Sequence, residues 1–338
     1  MQIDLTTSSG PSGTAIGRRR GIAAVVLSTA CVILVARPAA AATSLAAVSD
    51  AAASSLTWWK AAILGAIEGI TEYLPISSTG HLLVTAKLLD LPDAKGSAGL
   101  DAVNTYVVAI QLGAILAVLG LFWKRFRSML LGLVGRDDDG RHLLIVLVLA
   151  FVPSAAVGAV LDNKIESALF GPWPVVVAWI VGGAAILWLE ESGQIPRHGV
   201  VPTPGTDPLR AITYRHALII GVAQCLALWP GTSRSLVTIV SALLLGIAMP
   251  AAVEFSFLLG FATLTAASLF KLAKDGGNLV DTFGVLNPLI GMVFAFISAV
   301  IAIRWLVTYL QRHTLTIFAW YRFVVATATI GLLAAGVI

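Results

Sequence analysis

Along the chain, apolar positions gather into runs of two lengths. Six runs are long. Residues 102–123, 142–161, 173–189, 251–270, 285–304 and 316–337 each approach or exceed the ~20 residues with which a helix crosses a bilayer. Four runs are short and come in two pairs. Residues 60–74 are separated from residues 79–89 by Pro75 and a group of hydroxyls. Residues 211–229 are separated from residues 235–249 by Pro230-Gly231-Thr232-Ser233-Arg234. Proline breaks a helix, and broken backbone is tolerated at membrane depth only where protein or a wet cavity surrounds it. The pattern therefore predicts an all-α polytopic membrane protein: two re-entrant helix hairpins and about six transmembrane helices. It lacks the alternating short strands of a membrane barrel.

The loops at 124–141, 190–216 and 304–315 are the basic ones, with Lys124, Arg125, Arg127, Arg136, Arg141, Arg197, Arg210 and Arg215 among their residues. All three can lie in the cytoplasm, as the positive-inside rule requires, only if the broken pairs are hairpins. The first then enters from outside and the second from the cytoplasm. Lys271 and Lys274, in an expected outer loop at 271–284, run against the rule. Gly65, Glu68 and Ser77 recur as Gly221, Gln224 and Ser233, each 156 residues on. Opposed hairpins with a shared pattern make an inverted-topology repeat the expected architecture.

The N-terminus reads differently. Arg18-Arg19-Arg20, an apolar stretch over residues 21–36 and Ala40-Ala41-Ala42 have the order of a secretory signal or an uncleaved signal anchor. The expected division is an N-terminal extension over residues 1–56 and a membrane-embedded domain over residues 57–338. Composition agrees with a membrane protein. Hydrophobic residues make up 58% and charged residues 12%, against about 25% charged in a soluble domain. The net charge of +4 is what topology signals produce and does not point to nucleic acid. Cys31 and Cys225 are too few for a disulfide framework or a metal cluster.

Against this background the polar residues of the two breaks stand out, because ionisable groups in a bilayer are costly. Glu68 and Glu72, one turn apart, share a helix face. Such a pair can share a proton, bind a cation or neutralise a cationic group, and a hard divalent ion suits oxygen ligands. Ser77, Ser78 and Thr79 follow Pro75. Ser77 or Thr79 is expected to cap the second helix, which leaves one hydroxyl free as a nucleophile. His81, one turn beyond Ser78, can serve as base to a serine or acid to a leaving group. At the second break Arg234 can pair with Glu68 or Glu72, or clamp a phosphate. The helix start at Ser233 offers free N–H groups, as does that at Ser78, and Gly231 allows close backbone approach. Acids, hydroxyls, histidine and arginine together point to phosphoester or pyrophosphate chemistry on a lipid phosphate. Gln111 and Gln224 are expected to bond across helices, and Asn104, Glu254, Ser256, Arg304 and Arg322 to be structural.

At Glu68-Gly-Ile-Thr-Glu72-Tyr-Leu-Pro-Ile-Ser-Ser-Thr-Gly-His81 and Ala223-Gln-Cys-Leu-Ala-Leu-Trp-Pro-Gly-Thr-Ser-Arg-Ser235 the sequence resembles the undecaprenyl-diphosphate phosphatase family, the bacitracin-resistance type. Segments at 110–115, 254–259 and 312–322 extend the likeness over residues 58–338. The resemblance implies hydrolysis of undecaprenyl diphosphate to undecaprenyl phosphate and inorganic phosphate, which recycles the lipid carrier of the bacterial cell wall and confers bacitracin resistance. It implies a divalent cation, Mg²⁺ or Ca²⁺, held by Glu68 and Glu72. It implies a multi-pass protein of the bacterial plasma (inner) membrane whose site faces outward. Its partners would be the bilayer and a polyprenyl diphosphate lipid, and a homodimer is compatible with it.

Carried over, Glu68, Glu72, Ser78 and His81 are catalytic, with either Ser78 or His81 as the nucleophile; Ser78, activated by His81 or Glu72, is favoured. Ser77, Thr79, Gly231, Thr232, Ser233 and Arg234 bind phosphate. Leu236, Ala248-Met249 and Gly260-Phe-Ala-Thr depart from the family pattern, and Leu236 is expected to narrow the pocket beside Arg234. A lipid-phosphate transporter or flippase is the other reading of the same inverted-repeat scaffold.

Overall fold

A computed structural model describes residues 56–91, 98–194 and 207–338. The signal-like segment and Arg197 lie outside the described residues. Within them the chain is helical and contains no strand. The helices are α1 (Trp58–Thr71), α2 (Ser78–Leu88), α3 (Ala98–Leu121), α4 (Trp123–Leu133), α5 (Asp138–Leu169), α6 (Pro172–Glu191), α7 (Tyr214–Gln224), α8 (Arg234–Leu244), α9 (Met249–Phe283), α10 (Leu286–Leu310) and α11 (Thr316–Ala334). Short 3₁₀ turns occupy Pro208–Ala211 and Cys225–Leu228. Six helices, α3, α5, α6, α9, α10 and α11, are long and apolar enough to cross a membrane. They correspond to the six long runs, and α1–α2 and α7–α8 to the two broken pairs.

Three helices depart from the expected bounds. The basic stretch after α3 is the helix α4, whose Phe126, Met129 and Gly132 are buried while Lys124 and Arg127 are exposed. α9 continues through the expected outer loop to Phe283 and ends where Gly284 takes φ +66°. Lysines end an apolar run without ending a helix; a left-handed glycine ends the helix. α5 likewise runs past residue 161 and carries Pro153 inside it.

Packing uses small residues, as it must where lipid is as apolar as the helix surface. α1 lies along α10, and a Cβ on Gly65 would collide with the Gly291 carbonyl. α7 lies along α5, and a Cβ on Gly221 would collide with the Ala150 carbonyl. α3 packs on α9 and α6 on α11. Polar side chains bridge helices as expected. Gln224 Nε2 donates to Ser154 Oγ at 2.5 Å, and Ser268 Oγ donates to Gln111 Oε1 at 3.5 Å. Glu254 meets Arg125 of α4 (Nε to Oε1, 2.7 Å), which also pairs with Asp207. Glu190 accepts from Leu315 N at 2.6 Å and so caps α11.

Candidate active site

α1 ends one turn before Pro75, and Glu72 is its C-cap. The chain turns over residues 72–76 and re-enters a helix at Ser78. Ser77 takes φ +71°, ψ 105° to make that entry. The second break repeats the manoeuvre: Ser233 takes φ +76°, ψ 111° before α8 begins at Arg234. Backbone of this kind costs a non-glycine residue roughly 1–3 kcal/mol and persists only where its surroundings enforce it.

Here the enforcement comes from the facing tip and from α6 and α11. Ser235 Oγ donates to the Leu74 carbonyl at 2.9 Å and Ser233 Oγ to the same carbonyl at 3.4 Å. Arg322 of α11, fully buried, donates to the Pro75 carbonyl of the first tip (3.1 Å). It also donates to the Gly231 and Thr232 carbonyls of the second (2.8 and 3.1 Å) and to Ala178 and Trp179 of α6. Trp179 Nε1 donates to Ile76 O at 2.9 Å. Gly231, at φ +95°, packs against Val175 and Ala178. The close approach allowed by this glycine is to α6.

The chemistry gathers on Glu72, which is 8% exposed. Ser78 Oγ donates to Glu72 Oε2, and Arg234 Nη2 meets Glu72 Oε1 at 2.9 Å. Arg234 Nη1 donates to Ser256 O at 3.2 Å. The guanidinium rests on Gly260, where a Cβ would collide with it, so the glycine makes room for the arginine. Leu236, expected to narrow the pocket, instead joins the apolar core.

Glu68 is fully buried one turn before Glu72, and neither of its carboxylate oxygens has a hydrogen-bond partner among the described residues. Buried charges are normally paired or coordinate metal. No group of three or more His, Cys, Asp or Glu that could hold a metal ion occurs among the described residues. A hard divalent cation is nonetheless often held by one or two carboxylates with the substrate phosphates and water. Glu68 fits that sparse donor set.

Of the two bases open to Ser78 in the sequence, the structure supplies Glu72. His81 is placed otherwise. Its Nδ1 meets the Ser77 carbonyl at 2.6 Å, so Nδ1 carries the proton, and Nε2 in the neutral ring accepts from Tyr321 Oη at 2.8 Å. Trp179 and Tyr321 flank the imidazole, with ring centroids 5.1 and 5.6 Å away. Nδ1 thus holds the turn at Ser77, and Nε2 ties the ring to α11. The expected capping also differs. Ser77 stands at the N-cap of α2 without a side-chain capping bond, whereas Ser233 Oγ accepts from Leu236 N and caps α8. Thr79 is half-buried on the first turn of α2. Arg322 is structural, as expected, but sequence reasoning did not place it at the two tips and missed the bracing by Tyr321 and Trp179. The available signal was an arginine inside an apolar run.

Known proteins resemble the chain over most of its length. A family model described as "Bacitracin resistance protein BacA" matches residues 61–328. Undecaprenyl-diphosphatase 2 of Rhodospirillum rubrum is 44% identical over 278 residues, covering 81% of this chain and 96% of its own. Undecaprenyl-diphosphatase of Sorangium cellulosum is 41% identical, covering 78% of this chain and 83% of its own. That of Acinetobacter baumannii is 40% identical, with 78% and 92% covered. The chain, a multi-pass membrane protein by its six apolar helices, belongs to the bacitracin resistance protein BacA family.

Proposed function

We propose that the protein hydrolyses undecaprenyl diphosphate to undecaprenyl phosphate and inorganic phosphate, recycling the lipid carrier for cell-wall synthesis and thereby conferring resistance to bacitracin. One observation carries the reading: a serine hydroxyl and an arginine, from two different helix breaks, meet on one buried carboxylate. Carrying an anion needs the arginine; it does not need a nucleophile already bonded to a base.

In this reading Ser78 Oγ attacks the terminal phosphorus as Glu72 takes its proton. The bond from that phosphorus to the bridging oxygen breaks, and undecaprenyl phosphate departs. Water then attacks the phosphorus of the phosphoserine, the bond from phosphorus to Ser78 Oγ breaks as Glu72 returns its proton to that oxygen, and the water's protons leave with the phosphate. Arg234 shifts from Glu72 toward the phosphoryl oxygens as negative charge gathers there. His81 keeps the turn at Ser77 in place. Glu68 would hold Mg²⁺ or Ca²⁺, which when bound supplies charge neutralisation at the diphosphate.

The proposal includes a bacterial plasma-membrane location, an outward-facing site, a catalytic domain over residues 57–338 and an inverted repeat. The repeat is supported by the exchanged packing of α1 on α10 and α7 on α5. Phosphate release from undecaprenyl diphosphate by purified protein, with and without chelator, tests the activity and the cation. Absence of release, with labelled lipid still crossing vesicles, would establish the flippase reading instead.

A further inference from the structure

The buried polar atoms left unsatisfied by protein include four at this site: both oxygens of Glu68, Nε of Arg234 and the hydroxyl of Tyr73. The last has no place in the mechanism above. Tyr73 follows Glu72 in the turn and is fully buried. Its ring meets Phe257 edge-on at 5.3 Å, and the Arg234 guanidinium stands 5.8 Å from its centroid. The apolar contacts account for a ring at this position, and phenylalanine would make them equally well. They do not account for the hydroxyl, since a buried donor without an acceptor is destabilising. Arg234 Nε, on the guanidinium that the ring faces, is a second such donor. Two unsatisfied donors on neighbouring side chains call for an oxygen-rich anion.

We infer that Tyr73 is a further substrate-binding residue, its hydroxyl donating to a phosphate oxygen beside Arg234. The inference rests on the phosphatase reading for the identity of that anion, which is either the lipid diphosphate or the phosphate product. Tyr73→Phe keeps the ring, the Phe257 contact and the face presented to Arg234, and removes one donor. The measurements are thermal stability of the substrate-free protein in detergent, kcat/KM for undecaprenyl diphosphate, and inhibition by inorganic phosphate.

The expected result is unchanged or raised stability with kcat/KM lowered about tenfold or more, the scale of a hydrogen bond to a charged group. Weaker phosphate inhibition alongside it places the hydroxyl on the terminal phosphate. Unaltered inhibition places it on the phosphate next to the prenyl chain. Unchanged kcat/KM, or lower stability without substrate, overturns the inference. Wild-type protein that releases no phosphate overturns the phosphatase reading instead. Calorimetric binding of farnesyl diphosphate then decides: weaker binding by Tyr73→Phe upholds the role of the hydroxyl, and equal binding removes it.

Discussion

The two helix breaks share a backbone and divide the chemistry. Ser77 and Ser233 differ by only 5° in φ and 6° in ψ, and each precedes the first residue of a helix. Those first residues, Ser78 and Arg234, are 156 positions apart, the offset of the repeat. Both bind Glu72, one at each carboxylate oxygen. The position equivalent to Glu72 in the second copy is Leu228, and the one equivalent to Glu68 is Gln224, whose amide is bonded to Ser154. Under the proposed repeat, duplication supplies two equivalent, strained helix starts facing each other. Divergence then puts a nucleophile on one, a cation on the other and acids on one side only. A site of this kind needs both tips and has one centre.

The comparison breaks most sharply at its paired first residues. Ser78→Ala should lower kcat at least about a thousandfold, the scale of removing a nucleophile, with the fold intact. Phosphate release measured with purified protein checks this, and fast residual hydrolysis would move the attacking group elsewhere. Arg234→Ala should lower kcat/KM by about a hundredfold or more, because the charge that gathers on the phosphoryl oxygens loses its partner. Arg234→Lys should recover part of this, since lysine keeps the charge without the planar fork. Near-normal turnover in the alanine variant would mean that the second tip is scaffold alone.

How far this was legible in the sequence depends on how far apart the cooperating residues lie. Six spans follow from hydropathy because the bilayer imposes a length on them. Pro75 and Pro230-Gly231 announce the breaks because the backbone has few ways around a proline. α4 was not legible: eleven residues with charges on one side and Phe126 and Met129 on the other read equally as a basic loop. In the site, Glu68, Glu72 and Ser78 stand close together in one motif and declare themselves, and Arg234 does so by its cost in a membrane. The bracing did not. His81 and Tyr321 are 240 residues apart, and Pro75 and Arg322 are 247 apart. Only the fold brings them together, and only then does the histidine change from a candidate base into a support for Ser77.

The support is itself testable. Arg322→Met keeps roughly the volume and removes the donors to the Pro75, Gly231 and Thr232 carbonyls of the two tips. Those carbonyls cannot all find water in the packed centre of the bundle. The variant should lose about 3 kcal/mol or more of stability, the cost of leaving several buried acceptors unpaired. Thermal unfolding in detergent checks this, and an unaltered midpoint would show that the tips hold their register without α11.

The smallest effect separates the two tips most finely. Glycine adopts positive φ freely, so it relieves strain at either serine, but the serines are not equally employed. Ser77 makes no side-chain capping bond, and Ser77→Gly should raise stability by about 1 kcal/mol. Ser233 caps α8 through Leu236 N and lies 3.0 Å from Ser235 Oγ, so Ser233→Gly gives up these bonds as it relieves the strain. Its net change should be near zero, since losing a cap to glycine costs a few tenths of a kcal/mol and the hydrogen bonds about as much again. Unfolding midpoints of the two variants, measured side by side, decide the matter. Equal stabilisation would show that the cap at Ser233 contributes nothing. Destabilisation at Ser77 would show that its hydroxyl has work to do in the resting protein, and the two tips would then be less alike than their dihedral angles make them.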